Sequence, residues 1–355
     1  MQKLDKRWRP QADSIQQPSI IKKEYFAMKK VISLIVSVMM IVSLFAGCGA
    51  GEEPGVKTDF KVAIVQQLDH SSLDEIREAI TAQLNALAEP TNFTVTIEEY
   101  NGQNDASVLN QIGTEVVSEG FDMIIPIATT AAQIMVTAAE GNIPVVYAAV
   151  SDPEGNGLTG MDNVTGTSDA LNTPFILDMM FAADPDIQTV GLLYSNSEPN
   201  SEKPIAEAKE YLDAKGIAYI EKTGNTSGEI IEAASALVGR VDAVFTPTDN
   251  AVMAAEAAVA EILNEAGIPH YAGADSFVIS GAFATCGVNY TELGTYTAQM
   301  AMDILLGGEV PEFHVMDGGI ITANSMSGHA CGLNISVFLE MASTVIDVCT
   351  GTLGM

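Results

Sequence analysis

Polar side chains able to hold a small charged solute recur at one kind of place in this sequence: after an apolar run and before a helical stripe. Leu68-Asp69-His70-Ser71 follows the run 61–65, Thr129-Thr130 follows 121–128, and Ser151-Asp152 follows 143–149. Further on, Ser195-Asn196-Ser197 follows 190–194, Thr248-Asp249-Asn250 follows 241–246, and Asp275 follows 268–272. Hydroxyls and free N–H groups at a helix start attract a carboxylate, and Thr129, Thr130, Ser195 and Asn196 stand where they could do so. An ammonium needs a counter-charge, for which Asp249 and Asp275 are the candidates. Together these groups suit a zwitterion. The same residue types also begin helices simply as caps. Capping therefore competes with ligand contact at each position, least so at Asp275. His70 divides evenly between a solvated loop residue and a ring packed on a ligand.

The elements that must position these groups alternate. Strand 61–65 leads to a helix with the capping-box form Ser72-Leu73-Asp74-Glu75 and a stripe at Leu73, Ile76, Ile80, Leu84 and Leu87. Phe93, Val95 and Ile97 alternate as a strand, and a helix ends at Gly120. Strands 121–128 and 143–149 flank helix 130–140, with Pro126 counting against the middle of the first. A second series pairs strands 190–194, 217–220, 241–246 and 268–272 with helices 204–215, 229–238 and 251–266, and helix 290–306 comes last. Such alternation predicts an α/β protein whose parallel sheets are covered on both faces. Two series of similar length, in 355 residues, predict two similar Rossmann-like lobes. Ligands of open parallel sheets lie beyond the carboxyl ends of the strands, where the polar loops gather. Tyr147 and Tyr194 fall inside strands and read as core.

Met28-Lys29-Lys30, the apolar stretch 31–45 and Ala46-Gly47-Cys48 have the parts of a secretory signal. Small residues before a cysteine resemble the bacterial lipobox, which implies a lipid anchor on Cys48 and a membrane-attached, extracytoplasmic chain; Phe45 departs from the usual Leu. Residues 1–27 are out of place ahead of such a signal, and Met28 is the expected initiator. From Cys48 onward the chain carries 8 basic and 43 acidic side chains, a net of −35. That charge excludes nucleic-acid binding, which needs a basic footprint, and makes a covalent anchor the natural hold on an anionic membrane. Segment 49–59 reads as a tether. Cys286, Cys331 and Cys349 lack metal spacing, leaving one disulfide or packed thiols.

Several motifs are decoys. Gly155-Asn156-Gly157-Leu158-Thr159-Gly160 matches a dinucleotide fingerprint but precedes no helix stripe, so it reads as a surface loop. Asn163-Val164-Thr165 is a sequon of use only in a eukaryotic secretory route. His70, His270, His314 and His329 have no metal spacing, and no nucleophile elbow or P-loop occurs, so neither enzyme, metal nor cofactor is expected.

Several longer segments, in order, resemble the bacterial ABC-transporter substrate-binding lipoproteins typified by tryptophan- and tyrosine-binding members. They include 127–133 (Ile-Ala-Thr-Thr-Ala-Ala-Gln), 149–153, 163–169 (Asn-Val-Thr-Gly-Thr-Ser-Asp), 191–198, 247–250 and 287–294, within a match from Lys61 to about Ser336. The segment 324–335 departs most. The resemblance implies a type 1 periplasmic-binding-protein fold with three hinge crossings, placed near 166–168, 286–289 and 313–318. It divides the chain into a doubtful extension plus lipoprotein signal 1–47, tether 48–59, lobe one 60–166 plus 289–313, lobe two 167–288 plus 314–340, and a tail 341–355. It adds Thr167 and Ser168 to the ligand set of His70, Thr129, Thr130, Ser151, Asp152, Ser195, Asn196, Thr248, Asp249, Asn250 and Asp275. It implies an importer component that passes an amino acid to an ABC permease and its ATPase. A sensing receptor of the same fold is the rival reading, as is a sugar or nucleoside binder, although the only Trp, Trp8, precedes the signal. A sugar-responsive repressor would need a helix-turn-helix where the signal and tether stand.

Overall fold

The structure is a computed structural model that describes residues 57–349 and the strand 351–353. The signal segment, Cys48 and most of the tether lie outside the described residues.

The first series folds as β1 (Asp59–Gln66), α1 (Ser71–Ala88), β2 (Thr94–Asn101), α2 (Ala106–Glu119), β3 (Met123–Ile127), α3 (Thr129–Ala139), β4 (Val145–Tyr147) and β5 (Val164–Ser168). Its apolar stripes bury as the periodicity requires. Ile76, Ile80 and Leu84 on α1 are fully covered, each contributing about 1.5–3 kcal/mol relative to exposure. The strands pair in parallel, β5-β4-β3-β1-β2. Pro126 lies inside β3 after all: its carbonyl accepts Ala148 N–H at 2.8 Å, and only the bond its nitrogen cannot make is forgone. At Gly166 a Cβ would sit 2.1 Å from the Tyr147 carbonyl, so β4 and β5 approach as closely as they do only with glycine there.

The second series is α4 (Thr173–Ala183), β6 (Thr189–Tyr194), α5 (Pro199–Lys215), β7 (Ala218–Thr223), α6 (Ser227–Ser235), β8 (Ala243–Thr246), α7 (Asn250–Met253), α8 (Glu256–Glu265), β9 (His270–Ala272), α9 (Asp275–Ile279) and β10 (Ala284–Gly287). Two helices differ from expectation. α5 starts at Pro199, not at residue 204, and carries Pro204 in its interior. The expected helix 251–266 breaks at Ala254–Ala255 into α7 and α8.

After β10 the chain returns to lobe one as α10 (Tyr290–Leu305), which packs along α1. Gly294 permits that approach, since a Cβ there would meet the Ile76 carbonyl at 2.6 Å. β11 (His314–Val315) then joins the edge of the first sheet beside β5. The chain crosses again to β12 (Ile320–Ala323), α11 (Ser325–Ala330), a 3-10 turn at Ile335–Glu340, β13 (Thr344–Asp347) and β14 (Gly351–Leu353). The second sheet runs β14-β13-β12-β10-β9-β8-β6-β7, parallel from β10 to β7, with antiparallel pairs β10–β12 and β13–β14.

Two lobes joined by three crossings result, but the crossings shift. Residues 167–168 complete β5 and 314–315 form β11, so both pairs belong to the first sheet instead of lobe two. The strands leave lobe one at Asp169 and again after Val315. Within the segment expected as a tail, β13 and β14 pair onto the second sheet and extend it.

Candidate functional site

The carboxyl ends of the two sheets face each other, and a small cavity of about 30 Å³ lies between them, lined by His70, Leu73, Thr129, Ser151, Asp169, Asn200, Thr248, Asp249, Asn250 and Tyr290, among others. Direct bonds cross from lobe to lobe around it. His70 Nε2 lies 3.2 Å from Asn250 Oδ1, Ser72 Oγ donates to Asp275 Oδ1 at 3.0 Å, and the Ser151 and Thr248 hydroxyls are 3.1 Å apart. Gln67 Nε2 donates to Glu198 Oε1 at 3.0 Å, and Lys203 pairs with Asp152 at 3.3 Å. The lobes are therefore closed on each other. A volume of 30 Å³ holds a few waters, at about 10–15 Å³ each, so a solute of amino-acid size enters only as the lobes part.

The lobe-one wall is built from helix starts. α1 and α3 both begin at the cavity, and neither has a side-chain cap, whereas α2, elsewhere in the same lobe, is capped by Asp105. Thr129 Oγ1 and Thr130 Oγ1 are buried without a partner, although Thr130 does not line the cavity itself. The turn into α3 is strained: Ala128 has φ 79°, and Ala149, after the neighbouring strand β4, has φ 54°. Such backbone in a non-glycine residue costs about 1–3 kcal/mol and collects at functional sites. Burial holds the His70 imidazole below its usual pKa, hence neutral, and its Nδ1 is unpartnered.

In the lobe-two wall most polar groups are tied within the lobe, around Asp249. Asp249 Oδ2 accepts Ser195 N–H and Ser201 Oγ, both at 2.7 Å, and Oδ1 accepts Val252 N–H at 2.9 Å as the cap of α7. Ser195 bonds its hydroxyl to Ser197 and Asn225, and Asn250 donates to Glu198 at 2.9 Å. Burial, then the neighbouring Asp249, push Glu198 up to about 8; burial also raises Asp249. Two atoms of this lobe stand open at the cavity: Asn200 Oδ1, whose amide nitrogen is tied to Thr248 O, and Ser276 Oγ.

Between the walls, in the first crossing, is Asp169. It is 7 % exposed, accepts Ser151 Oγ at 2.9 Å and Tyr290 OH at only 3.5 Å, and burial raises its pKa. No lysine or arginine lines the cavity.

His70, Thr129, Ser151, Thr248, Asp249 and Asn250 thus meet at one cavity, as their positions after strands imply. Other expected residues do not line it. Thr167 bonds Thr297 at 2.7 Å beneath α10, Ser168 donates to the Ser151 carbonyl at 3.4 Å, and Asn196 is exposed and donates to Thr223. Asp152 and Asp275 bridge the lobes beside the cavity. Asp169 and Asn200 were not among the expected residues. Asp169 follows a strand just as Asp275 does, a signal hidden by reading 166–168 as a crossing. Periodicity alone starts the helix at Pro204, whereas the fold starts it at Pro199 and brings Asn200 onto it.

Two α/β lobes joined by three crossings, with convergent polar groups between them, define a type 1 periplasmic-binding-protein architecture. The model of the ABC transporter substrate binding protein family matches residues 61–335. The chain belongs to that family, which is one of binding proteins and not of enzymes. A tyrosine-binding protein of Clostridioides difficile is 32% identical over 300 residues, covering 80% of this chain and 87% of that protein. The structure of an ABC domain in complex with L-Trp from Streptococcus pneumonia is 28% identical, covers 81% of this chain and 100% of its own, and superposes with a TM-score of 0.76. A ligand-free, open substrate binding protein with adhesive properties from Clostridium difficile is 32% identical, over 78% of this chain and 95% of its own, yet superposes at 0.60. The better fit to the ligand-bound relative, despite its lower identity, accords with the closed lobes.

Proposed function

We propose that this chain is the extracytoplasmic solute-binding component of an ABC importer and closes its lobes on a free amino acid with an aromatic side chain. The observation that carries this reading is the set of buried, unpartnered polar atoms at the cavity: His70 Nδ1, Thr129 Oγ1, Asn200 Oδ1 and Ser276 Oγ. Buried polar groups of native proteins are almost always bonded, so four open ones around one cavity call for a polar occupant. The occupant's carboxylate is held by the first turn of α3 with Thr129, and by the uncapped start of α1. Its ammonium is held by Asp169 and Asn200 Oδ1, in place of Asp249, whose oxygens are already bonded. Leu73, Met253, Phe277 and the His70 ring supply apolar contact for a side chain, and the named ligands of the two relatives support an aromatic one. Asp275 serves closure through Ser72.

Thermal shift against the amino acids, simple sugars and nucleosides tests the reading. A ligand at 100 times its Kd adds about 2.7 kcal/mol to folded-state stability, and tyrosine, tryptophan or phenylalanine is expected to give the largest rise. A response to sugars alone would overturn the zwitterion. Small-angle scattering is expected to show the radius of gyration shrinking on binding.

We place the protein on the outer face of the cell membrane, held by a lipid on Cys48, where it delivers to a permease and its ATPase. The small-residue run ending at Cys48 supports this. Among the described residues no helix is long and apolar enough to cross a membrane. Cys48→Ser is expected to shift the protein from the membrane fraction to the soluble one, and unchanged fractionation would remove the anchor.

A further inference from the structure

Behind the cleft, on the hinge side, lies a second cavity of about 380 Å³, within the size range of about 300–1,000 Å³ usual for small-molecule sites. Its wall combines the apolar side chains Leu171, Phe175, Val288, Met341 and Ala342 with Asn172 and the backbone of four glycines. Burial pushes the Cys286 thiol in this wall up to about 11, so it is neutral. Asp169 is the one charged side chain among the lining residues, and with Tyr290 it forms the partition from the cleft cavity. Its Oδ1 is taken by Ser151 and the Tyr290 hydroxyl reaches Oδ2 at a long 3.5 Å, while its own backbone N–H also bonds the carboxylate. A buried carboxylate without a cation, at the end of a chamber that presents Leu171, Phe175, Val288 and Met341, has the chemistry to hold a primary ammonium that carries an apolar group.

We infer that the hinge cavity is a second ligand site, for arylalkyl primary amines, distinct from the amino-acid site but sharing Asp169 with it. An amine lacks the carboxylate that α3 would hold, so it gains nothing from Thr129 and is satisfied by Asp169 and the apolar side chains of the chamber. Segments of all three crossings line this cavity, at 169–172, 287–288 and 318–319. Its shape therefore changes when the lobes move, and an occupant favours one lobe arrangement over the other. Because the two ligands share one counter-charge, each weakens the other by the same factor.

The inference rests on Asp169 as the ammonium partner of the proposed function, and the test separates the two. The full protein is titrated calorimetrically with 2-phenylethylamine and, in parallel, with L-tyrosine. Saturable amine binding is expected, within about twofold of wild type in Thr129→Ala and at least tenfold weaker in Asp169→Asn. Ala342→Phe, which fills the hinge cavity, is expected to lose the amine and keep L-tyrosine. If that variant does not fold, Gly318→Leu serves, since a Cβ at Gly318 meets only the Gly287 carbonyl at 3.7 Å. Failure of the amine to bind, or amine binding untouched by filling the cavity, overturns the second site while tyrosine binding still stands. Amine binding without tyrosine binding overturns the amino-acid reading alone.

Discussion

The two walls of the cleft are made from the same sequence pattern and have opposite fates. In lobe two, Asp249 follows β8, caps α7 and also ties down Ser195 and Ser201, so its oxygens are used within the lobe. In lobe one, Thr129 follows β3 and opens α3, yet its hydroxyl bonds nothing and the strained Ala128 before it offers no cap. A hydroxyl or carboxylate after a strand is thus not a ligand group by position alone. What separates the two is whether the fold supplies a partner. The saturated Asp249 cluster is scaffold, and free energy is left for a solute at the open atoms: Thr129 Oγ1 and His70 Nδ1 in lobe one, Asn200 Oδ1 and Ser276 Oγ in lobe two.

The largest expected effect comes from removing the open hydroxyls of lobe one. Thr129→Val with Thr130→Val is expected to weaken L-tyrosine binding by about tenfold to a hundredfold, the worth of hydrogen bonds to a charged group. The melting temperature without ligand should hold or rise, because two buried unpartnered hydroxyls are removed. A fall in stability with unchanged affinity would assign these residues to the scaffold. Asp249→Ala is expected to do the reverse. It strips donors of Ser195, Ser201 and Val252 of their acceptor and costs about 1–3 kcal/mol of stability, seen as a lower denaturant midpoint. Its effect on tyrosine affinity should stay below that of the threonine pair.

The third test concerns pH. In the folded chain Glu198 keeps its proton up to about 8, whereas the unfolded chain releases it near 4.3. Between these values the folded state binds more protons, so this group's contribution falls as pH rises. Glu198→Gln, which retains the shape of the protonated acid, is expected to flatten the decline in stability from pH 5 to pH 8. An equal decline in the variant would place Glu198 outside that linkage. The smallest effect is expected from Asp152→Asn. Its ion pair with Lys203 spans the lobes but is partly solvated, with Lys203 54 % exposed, and such pairs contribute about 0–1 kcal/mol. Tyrosine affinity should change by less than about fivefold.

Much of the frame was legible in the residues. Periodicity marked the two βα series, and loops after strands gathered His70, Thr129, Ser151, Thr248, Asp249 and Asn250 at one cavity. Three things were not legible, each for a physical reason. Whether Asp249 is a cap or a ligand group depends on Ser195 and Ser201, far away in sequence. Asp169 was hidden because Gly166, Thr167 and Ser168 look like a hinge, while the close contact with Tyr147 makes them a strand. The terminal strands β13 and β14 follow a segment that departs from the family pattern, and their partner β12 is reached only after the third crossing. The charge at the first crossing was therefore found by the fold and not by the motif.

The central claim is that Asp169 holds the ammonium of an amino acid enclosed between the lobes. Calorimetric titration of wild type and Asp169→Asn with L-tyrosine and L-tryptophan tests it directly, since the substitution nearly keeps shape and removes charge. Binding by wild type and a loss of at least about tenfold in the variant, equal to about 1.4 kcal/mol, is the predicted result. Equal affinity of the two proteins, or a wild type that binds neither amino acid, would contradict it.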